Sequence, residues 1–179
     1  KVGLITGASG GIGEAFGQVL AADGHDLVLV ARRDQELHRV KGVITSKVPV
    51  AVHVIALDLN ESGAVESLVA ELAGRNLVPA VVVSNAGFGL IGPMAELSRN
   101  EQLQMIDLNV RVLTDLTLRF LPAMVARKAG GIINVASIAG FMPGPMMAVY
   151  FATKNYVVSF GDALNSELRG SGVTLTTLC

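Results

Sequence analysis

Short apolar runs alternate along this chain with longer segments in which apolar residues return at helical spacing. The runs fall at residues 2–5, 26–31, 50–57, 81–84, 132–136 and 173–178, and the helical spacing at 12–20, 33–46, 62–72, about 99–127 and 150–168. Strand and helix in alternation predict a layered α/β fold whose parallel strands are covered on both faces. Right-handed crossovers make this a doubly wound, Rossmann-like sheet, which binds ligands beyond the carboxyl ends of its strands where strand order reverses. Residues 1–179 are expected to form one such domain. In its first helix Ile12, Phe16, Val19 and Leu20 share a face, and Pro122 is expected to kink or loosen the long helix.

Composition narrows the function classes. Hydrophobic residues make up 51% of the chain and charged residues 16%, an excess that a doubly covered sheet explains. A mean hydropathy of +0.53 raises the question of a membrane span, but polar residues, Gly or Pro break every apolar run before the ~18–20 residues a crossing needs. Fourteen basic and fifteen acidic residues leave a formal charge of −1, so there is no electrostatic footprint for nucleic acid. A single cysteine, Cys179, excludes an internal disulfide; with no basic-then-apolar leader at the start, a cytoplasmic location is expected.

The unusual residues cluster where the fold predicts a ligand. Gly7, Gly11 and Gly13 follow the first strand in TGASGGIG, where glycines permit a sharp turn, close backbone approach to a pyrophosphate and tight helix–sheet packing. The bland alternative is a flexible Gly/Ser turn, disfavoured by a strand before and a helix after. The second strand ends at Ala31 without a carboxylate at its end, and Arg32 and Arg33 stand just beyond it. Guanidinium forks suit the 2′-phosphate of NADP, whereas NAD binders carry an acidic residue there, so NADP is expected over NAD; the alternative is a solvated helix start. Ser137 follows the fifth strand, Tyr150 stands thirteen residues on, and Lys154 lies one helical turn beyond Tyr150 on the same face. A neighbouring cation favours a phenolate, which suits a tyrosine to proton transfer, and a serine hydroxyl can fix the oxygen that receives the proton.

TGASGGIG resembles the TGxxxGxG turn of the short-chain dehydrogenase/reductase family, SNAG at residues 84–87 its NNAG segment, and YFATK at 150–154 its YxxxK motif. Ser84 replaces the first Asn of that segment, and Gly10 stands where many NADP-binding members carry a basic residue. The resemblance implies hydride transfer between NADP(H) and a carbonyl or secondary alcohol. Tyr150 would be the general acid or base. Lys154 would assist it and bind the nicotinamide ribose, Ser137 would orient the substrate oxygen, and Asn109 would complete an Asn-Ser-Tyr-Lys tetrad through a water-linked proton relay. A kink or packing role for Asn109 stays open. Ser9, the backbone at Ile12, Asp58, Leu59, Asn85, Ala86 and Gly87 would contact the cofactor. No metal is expected.

Around this site Phe88, Leu90, Ile91, Met94, Phe141, Met142, Met146 and Met147 give the loops an apolar character. They point to an apolar carbonyl or alcohol substrate, with packing under the loops as the alternative. Long helices that are apolar on more than one face point to an oligomer, which the family resemblance implies is a homodimer or homotetramer. Rival readings are a non-catalytic NADP-binding regulator on the same fold and, more distantly, a sugar-nucleotide epimerase or dehydratase. In the family another strand follows a strand ending like TLC, so six of seven strands are expected here, with more chain before Lys1 and after Cys179.

Overall fold

A computed structural model describes all 179 residues. Six strands, β1 (Val2–Thr6), β2 (Asp26–Ala31), β3 (Val52–Ala56), β4 (Pro79–Ser84), β5 (Gly130–Val135) and β6 (Val173–Leu178), form one parallel sheet in the order β3-β2-β1-β4-β5-β6. The chain winds outward from β1 to β3, then returns and builds from β4 in the opposite direction. The switch therefore lies between β1 and β4, whose carboxyl ends diverge into loops at the same edge of the molecule.

Helices α1 (Gly11–Ala22) and α2 (Asp34–Thr45) cover one face over a core of Ile5, Leu27, Leu29, Leu37 and Ile44. The other face carries α3 (Ala64–Gly74) and α5 (Leu113–Ala126), packed through Leu68, Leu116 and Met124 on Leu4, Val28, Val82 and Ile132. A short α4 (Arg99–Ile106) leads into α5, and α6 (Ala148–Glu167) lies beside it. No helix is long and apolar enough to cross a membrane.

Two expectations need correction. The face of α1 that is buried carries Gly13, Gly17, Leu20 and Ala21, whereas Ile12 and Val19 are exposed. A Cβ at Gly17 would come within 3.1 Å of Ile44, so it is the small residues that let this helix sit close to the sheet. The long helix is indeed interrupted, but not by Pro122, which sits inside an unbroken α5. One π-helical stretch, Asp107–Val112, separates α4 from α5 and contains Asn109.

Candidate active site

The glycine turn is shaped by contact with the neighbouring strand end. Gly7 has φ +65°, and a Cβ there would lie 2.9 Å from Ala86 Cα. Gly13 lies closer still: its Cβ would meet the Gly7 carbonyl oxygen at 2.3 Å. Helix α1 starts with no side chain capping its first amides, so the N–H groups of its first turn are left for an anion. Thr6 ties this turn to β4. Its hydroxyl accepts from the amides of Asn85 and Ala86, both at 3.0 Å, and donates to Val83 O at 3.2 Å. Asn85 Nδ2 answers with bonds to the carbonyls of Thr6 and Gly7.

At the adenosine end suggested by the motif, Arg33 Nη2 donates to Ser9 Oγ at 3.0 Å and to Ser9 O at 3.4 Å. Arg32 Nη1 lies 3.8 Å from Asp58 Oδ2, and Asp58 Oδ1 accepts from Asn60 N at 2.9 Å. Arg32 and Arg33 are both exposed residues beside the glycine turn.

The other end is built by α6 and the loop after β4. Tyr150 and Lys154 share one face of α6, with Lys154 Nζ 5.8 Å from the centre of the phenol ring. Lys154 is buried, and its ammonium donates to Val135 O at 2.8 Å. Burial pushes its pKa below the ordinary lysine value. Ser137 follows β5, where its Oγ accepts from Ala139 N at 3.2 Å and so caps a short 3-10 turn, Ile138–Phe141. Asn109 is buried in the π-helical stretch. Its amide grips Phe88 by both backbone groups, donating to Phe88 O at 2.9 Å and accepting from Phe88 N at 3.1 Å. A further bond runs from Nδ2 to Thr153 Oγ1 at 3.1 Å, and Asn109 makes no hydrogen bond to Lys154.

A cleft of about 720 Å³ joins the two ends. Gly7, Ser9, Ile12, Arg32, Arg33, Asp58 and Leu59 line one half, and Asn85, Ala86, Gly87, Tyr150 and Lys154 the other. Gly11, Gly13, Asn109 and Ser137 are not in its lining: Gly13 is the helix-packing contact, Asn109 sits behind Phe88, and Ser137 lies just past Ala136, which does line it. Sequence reasoning missed Thr6, whose partners lie at the end of β4, and Thr153, whose hydroxyl meets Asn109 from a distant part of the chain. Of the apolar loop residues, Phe88 and Met147 line the cleft, while Leu90, Met94 and Met146 line a pocket of about 40 Å³ that also touches Tyr150 and Met147. Gly92 N donates to Met146 O at 2.8 Å and joins the two loops.

Comparison with known proteins agrees with this fold. The short chain dehydrogenase family model matches residues 1–179. Over 177 residues the chain is 39% identical to a sulfoacetaldehyde reductase of Chromohalobacter salexigens, covering 98% of this chain and 69% of that enzyme. It is 31% identical to the very-long-chain 3-oxoacyl-CoA reductase of Bos taurus, covering 98% of this chain but only 57% of that enzyme's length. Among solved structures, a metagenomic short-chain oxidoreductase in complex with NADP superposes with a TM-score of 0.90 at 33% identity, covering 99% of this chain and 80% of that one. The chain belongs to the short-chain dehydrogenase/reductase family of oxidoreductases.

Proposed function

We propose that this chain carries the cofactor cleft and proton-transfer groups of an NADP(H)-dependent oxidoreductase acting on an apolar ketone, aldehyde or secondary alcohol. The observation that carries the reading is one continuous cleft with a Tyr–Lys pair at one end and Arg33, held on Ser9, beside the glycine turn at the other. The residues fit a dinucleotide. Gly7 keeps open a turn that a Cβ would close, uncapped amides face outward at α1, and the volume lies within the ~300–1,000 Å³ typical of small-molecule and cofactor sites. When bound, the nicotinamide supplies or takes up the hydride.

Gly7, Ser9 and the amides of α1 would hold the pyrophosphate, Arg33 and Arg32 the 2′-phosphate, and Asp58 and Leu59 the adenine. Tyr150 gives its phenolic proton to the substrate oxygen during reduction and takes it back during oxidation. Lys154 sets a buried positive charge beside that phenol. Because Ser137 Oγ accepts from Ala139 N, its own hydroxyl proton remains to hold the substrate oxygen. Asn109 shapes the loop that walls the site, through Phe88. Lys154 is the one cation lining the Tyr150 end, and Phe88 and Met147 are apolar, which favours an uncharged substrate. Leu118, Val125 and Tyr156 leave apolar surface exposed on α5 and α6, which supports a homodimer or homotetramer.

The test is oxidation of NADPH and of NADH with a panel of apolar ketones and aldehydes, with Arg33→Ala alongside. The expected result is turnover with a preference for NADPH of about tenfold or more, which Arg33→Ala reduces. A preference for NADH would overturn the arginine assignment. Tight NADPH binding with no turnover across the panel would favour a regulatory protein.

A further inference from the structure

Resting on the proposed catalytic role of Tyr150, we infer that Thr153 is a positioning residue that closes a ring of contacts around this tyrosine. Thr153 is buried, and its hydroxyl donates to Tyr150 O at 2.7 Å. A threonine hydroxyl has one proton, so its lone pairs remain to accept, and Asn109 Nδ2 fills that role at 3.1 Å. The second N–H of Asn109 goes to Phe88 O and its Oδ1 receives Phe88 N. Next along the chain, Gly89 lies against the Tyr150 ring, where an added Cβ would be 2.9 Å from Cδ2. Tyr150 is thus held twice: its carbonyl through Thr153, and its ring face through Gly89. Both restraints meet at the Asn109 amide. The ring joins α6, the π-helical stretch and the loop after β4, three segments far apart in sequence.

A helical threonine often turns its hydroxyl back on a carbonyl three or four residues earlier and contributes nothing more. That reading predicts indifference to valine, which has nearly the same shape and a similar helix propensity. Closure of the ring predicts otherwise. Thr153→Val leaves a buried N–H of Asn109 without an acceptor and uncouples α6 from the Phe88–Gly89 backbone, so both supports of Tyr150 slacken together.

The experiment compares Thr153→Val, Thr153→Ser and Tyr150→Phe in turnover of an accepted carbonyl substrate, in NADPH affinity by fluorescence, and in amide hydrogen exchange over residues 86–90. Thr153→Val should lower kcat about tenfold, while NADPH affinity stays within about twofold because the adenosine half of the cleft is untouched. Exchange at Phe88 should quicken, since its amide rests on Asn109. Thr153→Ser, which keeps the hydroxyl, should restore both kcat and exchange protection. The inference is overturned if Thr153→Val keeps full kcat and Phe88 protection, or if Thr153→Ser is as impaired as the valine variant. Should the valine variant fail to fold, Thr153→Ser against Thr153→Ala decides on the same readouts. Unimpaired turnover in Tyr150→Phe would instead sink the catalytic reading on which this rests.

Discussion

Gly13→Ala isolates the contact on which the glycine turn depends. The new methyl would stand 2.3 Å from the Gly7 carbonyl oxygen and 2.7 Å from Asn85 Nδ2, against 3.4–4 Å for ordinary contact. Neither neighbour can turn aside. One is backbone, and the other is bound to the carbonyls of Thr6 and Gly7. Helix α1 must therefore back away from the turn by about 1 Å, and overpacking of this kind costs ~1–3 kcal/mol. For a domain of this size each kcal/mol lowers the melting temperature by ~2–4 °C, so a fall of about 2–12 °C is expected. The same shift moves the first amides of α1, and NADPH affinity should weaken by about tenfold or more. Gly42→Ala is the control, since a Cβ at that helical position meets nothing within 4 Å and should raise stability by ~0.5–1 kcal/mol. Thermal melts and fluorescence titration read both variants. A Gly13→Ala protein that melts and binds NADPH like the parent would refute the packing argument.

Lys154→Met tests the buried ammonium through its pH dependence. With its folded pKa below the usual 10.5, Lys154 binds fewer protons folded than unfolded, so its penalty on stability is complete below the folded value and relieved as pH rises toward 10.5. The parent should gain stability relative to Lys154→Met over that rise, as read by denaturant melts at several pH values; a constant difference contradicts the burial argument. Glu14 works in the opposite sense. Arg39, bonded to it at 2.7 Å and 3.1 Å, holds its carboxyl below the usual range, so its contribution is present above that range and lost as pH falls through the lowered value. Glu14→Gln should therefore cost a little stability at neutral pH and less in acid, and an equal loss at both would count against the ion pair.

What the sequence revealed and what it hid follow from range. Strand runs are local signals, and all six were legible: the inner strands because both faces of the sheet demand apolar residues, and β6 because buried Val173 and Leu175 alternate with exposed threonines. The buried face of α1 was misread because hydrophobic periodicity rewards Ile12 and Val19 and is blind to Gly13 and Gly17, whose value is the room they leave. Pro122 drew attention as a helix breaker, yet the turn that loosens contains Asn109, whose amide is engaged with a loop twenty-one residues earlier in the chain. No local pattern encodes that. Motif spacing placed Tyr150 and Lys154 on one helix face, while Thr6 and the Asn109 bond of Thr153 were silent because those contacts are tertiary.

Transfer of deuterium is the most direct measure of the proposed chemistry. With NADPH dideuterated at the nicotinamide C4 position and a ketone that the enzyme turns over, the alcohol formed should carry one deuterium on its carbinol carbon by mass spectrometry. Tyr150→Phe should bind the same cofactor with nearly parental affinity and form no labelled alcohol. Product without deuterium, or undiminished labelled product from Tyr150→Phe, would contradict the account.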